Sequence, residues 1–283
     1  MHRDRPLHGE AEREVDRLPT VLTCAIDHAV AQRIRDAMRN VACIQSFGSF
    51  VEATDALRSM PMPVAVVVGP QDAGGSAAIP FVTTVAAYQR VAIVVSCNAG
   101  LESSQHIRLL ARAGAHEFLF RGVDDHGIAV RSVVESAMQA CAADRVLVRL
   151  LPLLPDRLHS YVRFCVQFPR RALSVSVVAA ALGIHRKTLF KYAAADNAPS
   201  PGELLAWCRL CLVAEQLELF PFRTVEAIAN DLDFASSTAL RNMIKRYTGM
   251  RAIEIRQNGG MTCVVDALSR SLASSPARIK ASA

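Results

Sequence analysis

The sequence predicts two domains of different class, a doubly wound α/β domain followed by an all-α domain. The length of 283 residues suits about two domains, at roughly 100–200 residues each. In the first half, short apolar runs alternate with stretches of helical spacing, whereas the second half has helical spacing alone. Charge divides in the same way: residues 1–150 carry 15 Arg, no Lys and 16 acidic residues (net −1), and residues 151–283 carry 17 basic and 10 acidic residues (net +7). This asymmetry favours a polyanionic partner for the second half.

Five short apolar runs in the first half are typical of β-strands. Two of them, VAVVV and VAIVV, are almost continuously apolar, which favours a parallel sheet that is covered on both faces. Because helical stretches separate the runs, we expect the strand order of a doubly wound fold. The runs are Thr20–Ile26, Val41–Phe47, Pro63–Gly69, Val91–Ser96 and His116–Phe120.

A predicted helix follows each strand. The helices are Ala29–Met38, Val51–Met60, a stretch that ends near Tyr88, Leu101–Gly114, and a long helix over Asp125–Leu151 that Pro152 ends. The long helix holds more apolar residues than one packed face requires, so we expect that it can support a homodimer. The apolar residues in question are Val130, Val133, Val134 and Met138.

The stretch from Leu18 to Ala143 resembles the CheY-like receiver domain of two-component response regulators. The best local match is ARAGAHEFLFRG, residues 111–122, before and within the last strand. The resemblance implies a ligand crevice at the carboxyl ends of the strands. A flavodoxin-like α/β domain of another kind is the alternative.

The residues that carry out phosphorylation in that family are replaced in this chain. The acidic pair that holds Mg²⁺ falls on Ala25 and Ile26, and the phospho-acceptor position falls on Gly69. Ser96 matches the Ser or Thr after the fourth strand, and Arg121 stands where the family has Lys. Without carboxylates there is no oxygen site for Mg²⁺ and no acceptor for a phosphoryl group. We therefore expect a degenerate receiver, or pseudo-receiver, that has no phosphorylation site.

The segment Ser176–Tyr192 has the pattern of a helix-turn-helix unit. Ala179 is the small residue where two helices cross, and Gly183 supplies the turn between them. The second helix is basic, as expected for a recognition helix in the major groove. Its outward residues, which we predict to contact DNA, are Arg186, Lys187, Thr188 and Lys191.

The pattern recurs over Thr224–Tyr247. Thr224 is placed to cap the first helix, and the turn contains Asp233 where Gly183 stands in the first unit. Asp tolerates the left-handed conformation better than most residues. The predicted DNA-contacting residues of this unit are Ser236, Ser237, Thr238, Arg241, Asn242, Lys245 and Arg246.

A long helix, Pro201–Leu219, joins the two units, and this arrangement over Leu154–Asn258 resembles the AraC/XylS family of bacterial transcription regulators. The matching motif residues are Arg209, Leu210, Ala214, Leu217, Ile228, Ala229, Phe234, Ser236 and Gly249. The resemblance implies sequence-specific binding to successive major-groove segments of promoter DNA, and contact with RNA polymerase. A departure is Asp233 at the second turn, so the alternative is a signalling interaction protein. Its pseudo-receiver would bind a partner protein, and its helix-turn-helix domain would bind DNA only nonspecifically.

Other classes of protein lack support in the sequence. We expect no enzyme, because neither Gly-x-Ser-x-Gly nor a zinc-protease motif occurs. The pair Cys208 and Cys211 has no second Cys or His pair beside it, so we predict core packing, no metal and no cofactor. No apolar run approaches the ~20 residues needed to cross a bilayer, so we expect a cytoplasmic protein with no membrane partner.

These assignments give five segments. We predict a polar leader over residues 1–17, which lacks the apolar core of a signal peptide. The receiver-like domain then covers 18–143, the end of a linker helix 144–153, the DNA-binding domain 154–258, and a tail 259–283. We expect disorder at the end of that tail.

Overall fold

The computed structural model describes residues 18–60, 63–98, 100, 103–169, 173–220 and 223–273. The chain divides into two compact units, Met1–Cys141 and Ala142–Ala283. The first unit is a doubly wound α/β structure and the second is helical, so the predicted fold class is confirmed. The predicted leader, residues 1–17, and the last ten residues of the predicted tail lie outside the described residues.

The first unit is built on one parallel five-stranded sheet with the order β2-β1-β3-β4-β5. All five strands predicted from the sequence are present within two residues of the expected positions. Their bounds are β1 Thr20–Cys24, β2 Cys43–Phe47, β3 Pro63–Val68, β4 Ala92–Asn98 and β5 Glu117–Arg121. Because the strands are parallel, their carboxyl ends meet at one edge of the sheet.

Helices cover both faces of this sheet. Alternate residues of the central strands supply the two cores: Val66 and Ile93 lie in one, Val67 and Val94 in the other. Helices α2, α3 and α4 pack on the first core, and α1 and α5 pack on the second. Their bounds are α1 His28–Ala37, α2 Phe50–Ser59, α3 Ala78–Ala86, α4 Ser104–Ala113 and α5 Gly127–Leu150.

The apolar residues of α5 that we expected to support a homodimer lie in the first unit's core. Val130 and Val134 are 1% and 0% exposed, and Val133 and Met138 are half-buried against the same core. The apparent surplus has a simple cause: β1, β3, β4 and β5 present a wide apolar surface to this helix. These four residues therefore offer no support for a dimer.

In the part of the second unit that the structure describes, eight further α-helices and the end of α5 pack around one core. Its central helix, α9, is buried along most of its length, which explains why apolar residues surround it in the sequence. Among the described residues, no helix is both long and apolar enough to cross a membrane. The bounds are α6 Asp156–Gln167, α7 Val175–Ala181, α8 Arg186–Ala195, α9 Pro201–Leu219, α10 Val225–Asp231, α11 Ser237–Thr248, α12 Ala252–Gln257 and α13 Met261–Ala273.

Two segments outside the predicted DNA-binding domain belong to this helical unit. The predicted linker, residues 144–153, contributes Val146, Leu147 and Leu150 to its core, at 0%, 3% and 1% exposure. The predicted tail contributes α13, whose Val264 and Leu268 are both 0% exposed. The first part of the segment predicted as a tail therefore contains a helix that packs in the core.

The eight cysteines are all free thiols, and six of them are buried. Cys208 and Cys211 lie at 1% and 0% exposure in α9, where burial raises the pKa of the Cys211 thiol to about 12. No cluster of three or more metal-ligating side chains occurs in the part of the chain that the structure describes. The predicted core packing of Cys208 and Cys211 is confirmed by their burial.

Leu268→Ala tests whether α13 belongs to the folded unit. Deleting this buried side chain should lower the second unit's free energy of unfolding by about 2–5 kcal/mol. Urea unfolding followed by the fluorescence of Trp207, the one tryptophan of the chain, measures that unit selectively. The control Ile253→Ala, at a side chain 51% exposed on α12, should change it by less than about 0.5 kcal/mol. If Leu268→Ala lowered the free energy of unfolding as little as Ile253→Ala does, α13 would not belong to the cooperatively folded unit.

Candidate nucleic-acid interface

The two helix-turn-helix units, α7–α8 and α10–α11, have the same turn. In the first unit Gly183 has φ +67°, and the N–H of Ile184 donates to the carbonyl of Ala179 at 3.0 Å. In the second unit Asp233 has φ +55°, and the N–H of Phe234 donates to the carbonyl of Ala229 at 2.8 Å. Each turn therefore ends its first helix with one left-handed residue and a hydrogen bond that spans five residues. Asp233 therefore gives the second turn the same backbone geometry that Gly183 gives the first.

Side-chain caps fix where each helix begins. Thr224 Oγ1 accepts from the N–H of Ala227 at 3.1 Å, which confirms the predicted cap of α10. The recognition helices α8 and α11 begin after His185 and Ser236. His185 Nδ1 accepts from the N–H of Lys187 at 3.1 Å, and Ser236 Oγ accepts from the N–H of Ala239 at 3.1 Å, so each cap satisfies one orphan donor at the start of its helix.

Each recognition helix has one buried and one exposed face. Leu189 and Ala193 anchor α8, and Leu240 and Ile244 anchor α11, all at 2% exposure or less. Thr188 and Ser237 are half-buried, and the other predicted contact residues are exposed. The exposed set is Arg186, Lys187 and Lys191 in the first unit, and Ser236, Thr238, Arg241, Asn242, Lys245 and Arg246 in the second.

Arg246 lies at the flank of this exposed set. Its guanidinium carbon is 5.7 Å from the centre of the Tyr247 ring. It also lines a depression of about 380 Å³ with Trp207 and Glu203 of α9. Arg246 therefore borders this depression beside α9 as well as solvent.

Phe190 lies on the exposed face of α8 and was absent from the predicted contact set. Its side chain is 40% exposed, and the guanidinium carbon of Arg186 lies 5.6 Å from the ring centre. Polarity as a criterion for DNA contact does not select this residue, because Phe190 is apolar and adjoins the buried Leu189. A helical projection of residues 186–195 places Phe190 at the flank of the buried face, where a side chain can reach the surface.

Arg209 of α9 braces the turn of the second unit. Its Nη2 donates to the carbonyl oxygens of Leu232 at 2.8 Å and Asp233 at 2.9 Å. The guanidinium carbon lies 4.0 Å from the centre of the Phe234 ring. Burial lowers the pKa of the Arg209 side chain, and the nearby Asp233 carboxylate opposes that shift. The central helix thus holds the segment that sets the direction of α11.

A second arginine ties the first helix of that unit. Arg223 forms an ion pair with Asp231 of α10 and donates to Gln216 Oε1 of α9 at 2.8 Å. Arg256 of α12 donates to the carbonyl oxygen of Arg223 at 2.6 Å. Arg223 and Arg256 therefore make contacts within the unit. The exposed basic residues of α11 are the ones that remain available to a polyanion.

The carboxyl-end edge of the sheet in the first unit holds a different set of polar side chains. Arg121 at the end of β5 forms an ion pair with Asp27 and donates to Asn98 Oδ1 at 2.5 Å. Ser96 is buried nearby in β4 at 4% exposure. Gly69 follows β3, and a Cβ at this position would overlap the carbonyl oxygen of Ala25. This edge of the sheet therefore holds an internal ion pair, and position 69 has no room for a side chain.

Arg209→Met tests the brace. The loss of two hydrogen bonds from a charged donor should lower the second unit's free energy of unfolding by about 2 kcal/mol, measured by Trp207 fluorescence in urea. Arg163→Met is the matched control, since Arg163 is an exposed arginine of α6 and should contribute less than about 0.5 kcal/mol. A similar value for both variants would mean that Arg209 does not stabilise the turn.

Comparisons with known proteins found several solved structures that are similar to this chain. No curated protein matches the chain. Similar solved structures include the signal receiver domain of a Luxo repressor protein from Vibrio parahaemolyticus, with 11% identity over 46% of this chain and 97% of that chain and a TM-score of 0.40. Full-length FixJ from B. japonicum has 18% identity over 67% of this chain and 96% of that chain, with a TM-score of 0.38. The RcsB response regulator of Salmonella typhimurium has 12% identity over 68% and 98%, with a TM-score of 0.35.

Residues 178–258 match the family model described as a helix-turn-helix domain. The matched range begins within α7 and ends directly after α12, so it includes both recognition helices and the central helix. The chain thus contains a helix-turn-helix domain in its C-terminal half.

Proposed function

We propose that this protein is a sequence-specific, DNA-binding transcriptional regulator of the AraC/XylS type. Its two recognition helices would enter successive major-groove segments of promoter DNA. The observation that carries the proposal is the repetition of one turn geometry at Gly183 and Asp233. The brace from Arg209 supports the proposal further, because it fixes the turn that precedes α11 against the central helix.

The exposed side chains of α8 and α11 suit both parts of DNA recognition. Lys187, Lys191 and Lys245 can neutralise phosphates, which gives affinity that falls as salt rises. Arg241 and Asn242 can form bidentate hydrogen bonds with guanine and adenine respectively. The net charge of +7 over residues 151–283 supports the same partner. Contact with RNA polymerase follows from the family resemblance.

The first unit is proposed to act without phosphorylation, as a sensing or dimerising pseudo-receiver. Gly69 has no carboxylate, and the approach of the Ala25 carbonyl leaves no room for a side chain there. The cation of Arg121 is already paired with Asp27, so a phosphoryl group would have to compete with an internal ion pair. Any signal to this unit would therefore be one other than transfer of a phosphoryl group.

In-vitro selection from a random duplex library with the full chain tests DNA recognition. We expect a motif of two segments about 10 base pairs apart, the spacing of successive major grooves on one side of the duplex. Arg241→Met should relax the preference at one base pair of one segment, a discrimination of about 1–3 kcal/mol, and leave the other segment unchanged. The control Arg163→Met should select the wild-type motif.

The alternative function gives a different result in this selection. An interaction protein that binds DNA only nonspecifically would yield no motif, and its binding would collapse as salt rises. A motif of a single segment would mean that one unit no longer recognises bases. Either outcome would contradict the proposed two-segment recognition.

Incubation with acetyl phosphate and Mg²⁺ tests the pseudo-receiver. Because position 69 is glycine, we expect no stoichiometric phosphoryl adduct in the intact-protein mass spectrum. A receiver domain with aspartate at the acceptor position serves as the positive control. A stoichiometric adduct that hydroxylamine removes would refute the proposal, since it would reveal an acyl phosphate on another carboxylate.

A further inference from the structure

Phe190 is an exposed aromatic residue on a surface that the proposed function places against DNA. Within the described residues, no other large apolar side chain of α8 or α11 is as exposed. Exposing this ring to water has a cost, because burying a phenylalanine is worth several times the free energy of one buried methyl group. The exposed ring is therefore available to an apolar group of a bound partner.

The second unit shows which part of the surface Phe190 occupies. The buried residues Leu189 and Ala193 of α8 correspond to Leu240 and Ile244 of α11, each 51 positions later. The same offset places Phe190 at the position of Arg241. Both side chains are exposed, so Phe190 occupies the place on the surface of α8 that Arg241 occupies on α11.

The neighbours of Phe190 favour nucleic acid over protein as the partner. Arg186 lies over the ring, and Lys187 and Lys191 are exposed beside it. Cores of protein interfaces are depleted of lysine, whereas a DNA surface is lined with phosphates that lysine can reach. The Arg186 guanidinium also limits the movement of the ring, which makes a directed contact less costly in entropy.

We propose that Phe190 contacts the C5 methyl group of a thymine in the major-groove segment that α8 enters. This methyl group is the apolar feature that the major groove offers to a protein, and it distinguishes thymine from cytosine. The inference rests on the proposed function. It makes the two recognition helices chemically unequal: α8 would read an apolar group at the position where α11 presents a guanidinium.

Deoxyuridine, which is thymine without the methyl group, gives the test. In the duplex selected by the full wild-type chain, each thymine is replaced singly by deoxyuridine and the dissociation constant is measured. We expect a loss of about fourfold at one position of the α8 segment, the value for one buried methyl group. Phe190→Ala should bind the unmodified duplex more weakly and show no further loss with deoxyuridine at that position.

Two controls separate this contact from general effects. Phe168→Ala removes an aromatic side chain that is also 40% exposed but lies at the end of α6, and it should keep the wild-type sensitivity to deoxyuridine. Deoxyuridine in the α11 segment should affect wild type and Phe190→Ala equally. If Phe190→Ala fails to fold, Phe190→Ser, which also lacks the ring at this exposed position, replaces it in the same comparison.

The outcomes distinguish this inference from the proposed function. A two-segment motif with no methyl-sensitive thymine in either segment would overturn the role of Phe190 and leave the DNA-binding function intact. Methyl sensitivity that persists in Phe190→Ala would also overturn it. Absence of any motif for the wild-type chain would overturn the proposed function and, with it, this inference.

Discussion

The left-handed residue between the two helices of each unit is the constraint on which the proposed DNA-binding surface depends. An L-residue in this conformation is strained unless it is glycine or a short polar residue such as aspartate. At Gly183 and Asp233 the chain turns within a few residues, and the following N–H groups close onto Ala179 and Ala229. The direction of each recognition helix follows from this turn, because the buried leucines then fix its rotation. The positions of the exposed basic side chains therefore depend first on the backbone conformation of the turn and then on the packing of the buried face.

Local patterns in the sequence were sufficient for the fold and for most of the proposed interface. Alternating apolar runs predicted all five strands, and the turn residues with Thr224 predicted the second unit, including tolerance of Asp233. Two features could not be predicted from local patterns. The first is the packing of helix α13, because its partners on α9 and α11 lie in other parts of the sequence. The brace from Arg209 depends on carbonyl groups more than twenty residues away, and sequence spacing carries no signal for such a contact.

The two units of the chain use buried and paired charge in different ways. In the second unit, Arg145 and Glu215 form an ion pair between α5 and α9, and burial raises the pKa of the Glu215 carboxyl while Arg145 lowers it. In the first unit, Asp27 and Arg121 pair at the edge of the sheet, where both side chains remain partly exposed to water. A pair that is removed from water is costly to break, because the remaining charge has no partner. A pair at the surface contributes less and yields more readily to a ligand.

The close approach of Ala25 to Gly69 has a consequence for how this domain can change through evolution. A single nucleotide substitution converts a glycine codon into an aspartate codon, so a carboxylate at position 69 looks easy to gain. Here the carbonyl oxygen of Ala25 lies in the space that the side chain would need. Aspartate at position 69 would therefore also require a shifted backbone at position 25. Selection for the stability of this unit would thus keep glycine at position 69 even if the position had no other role.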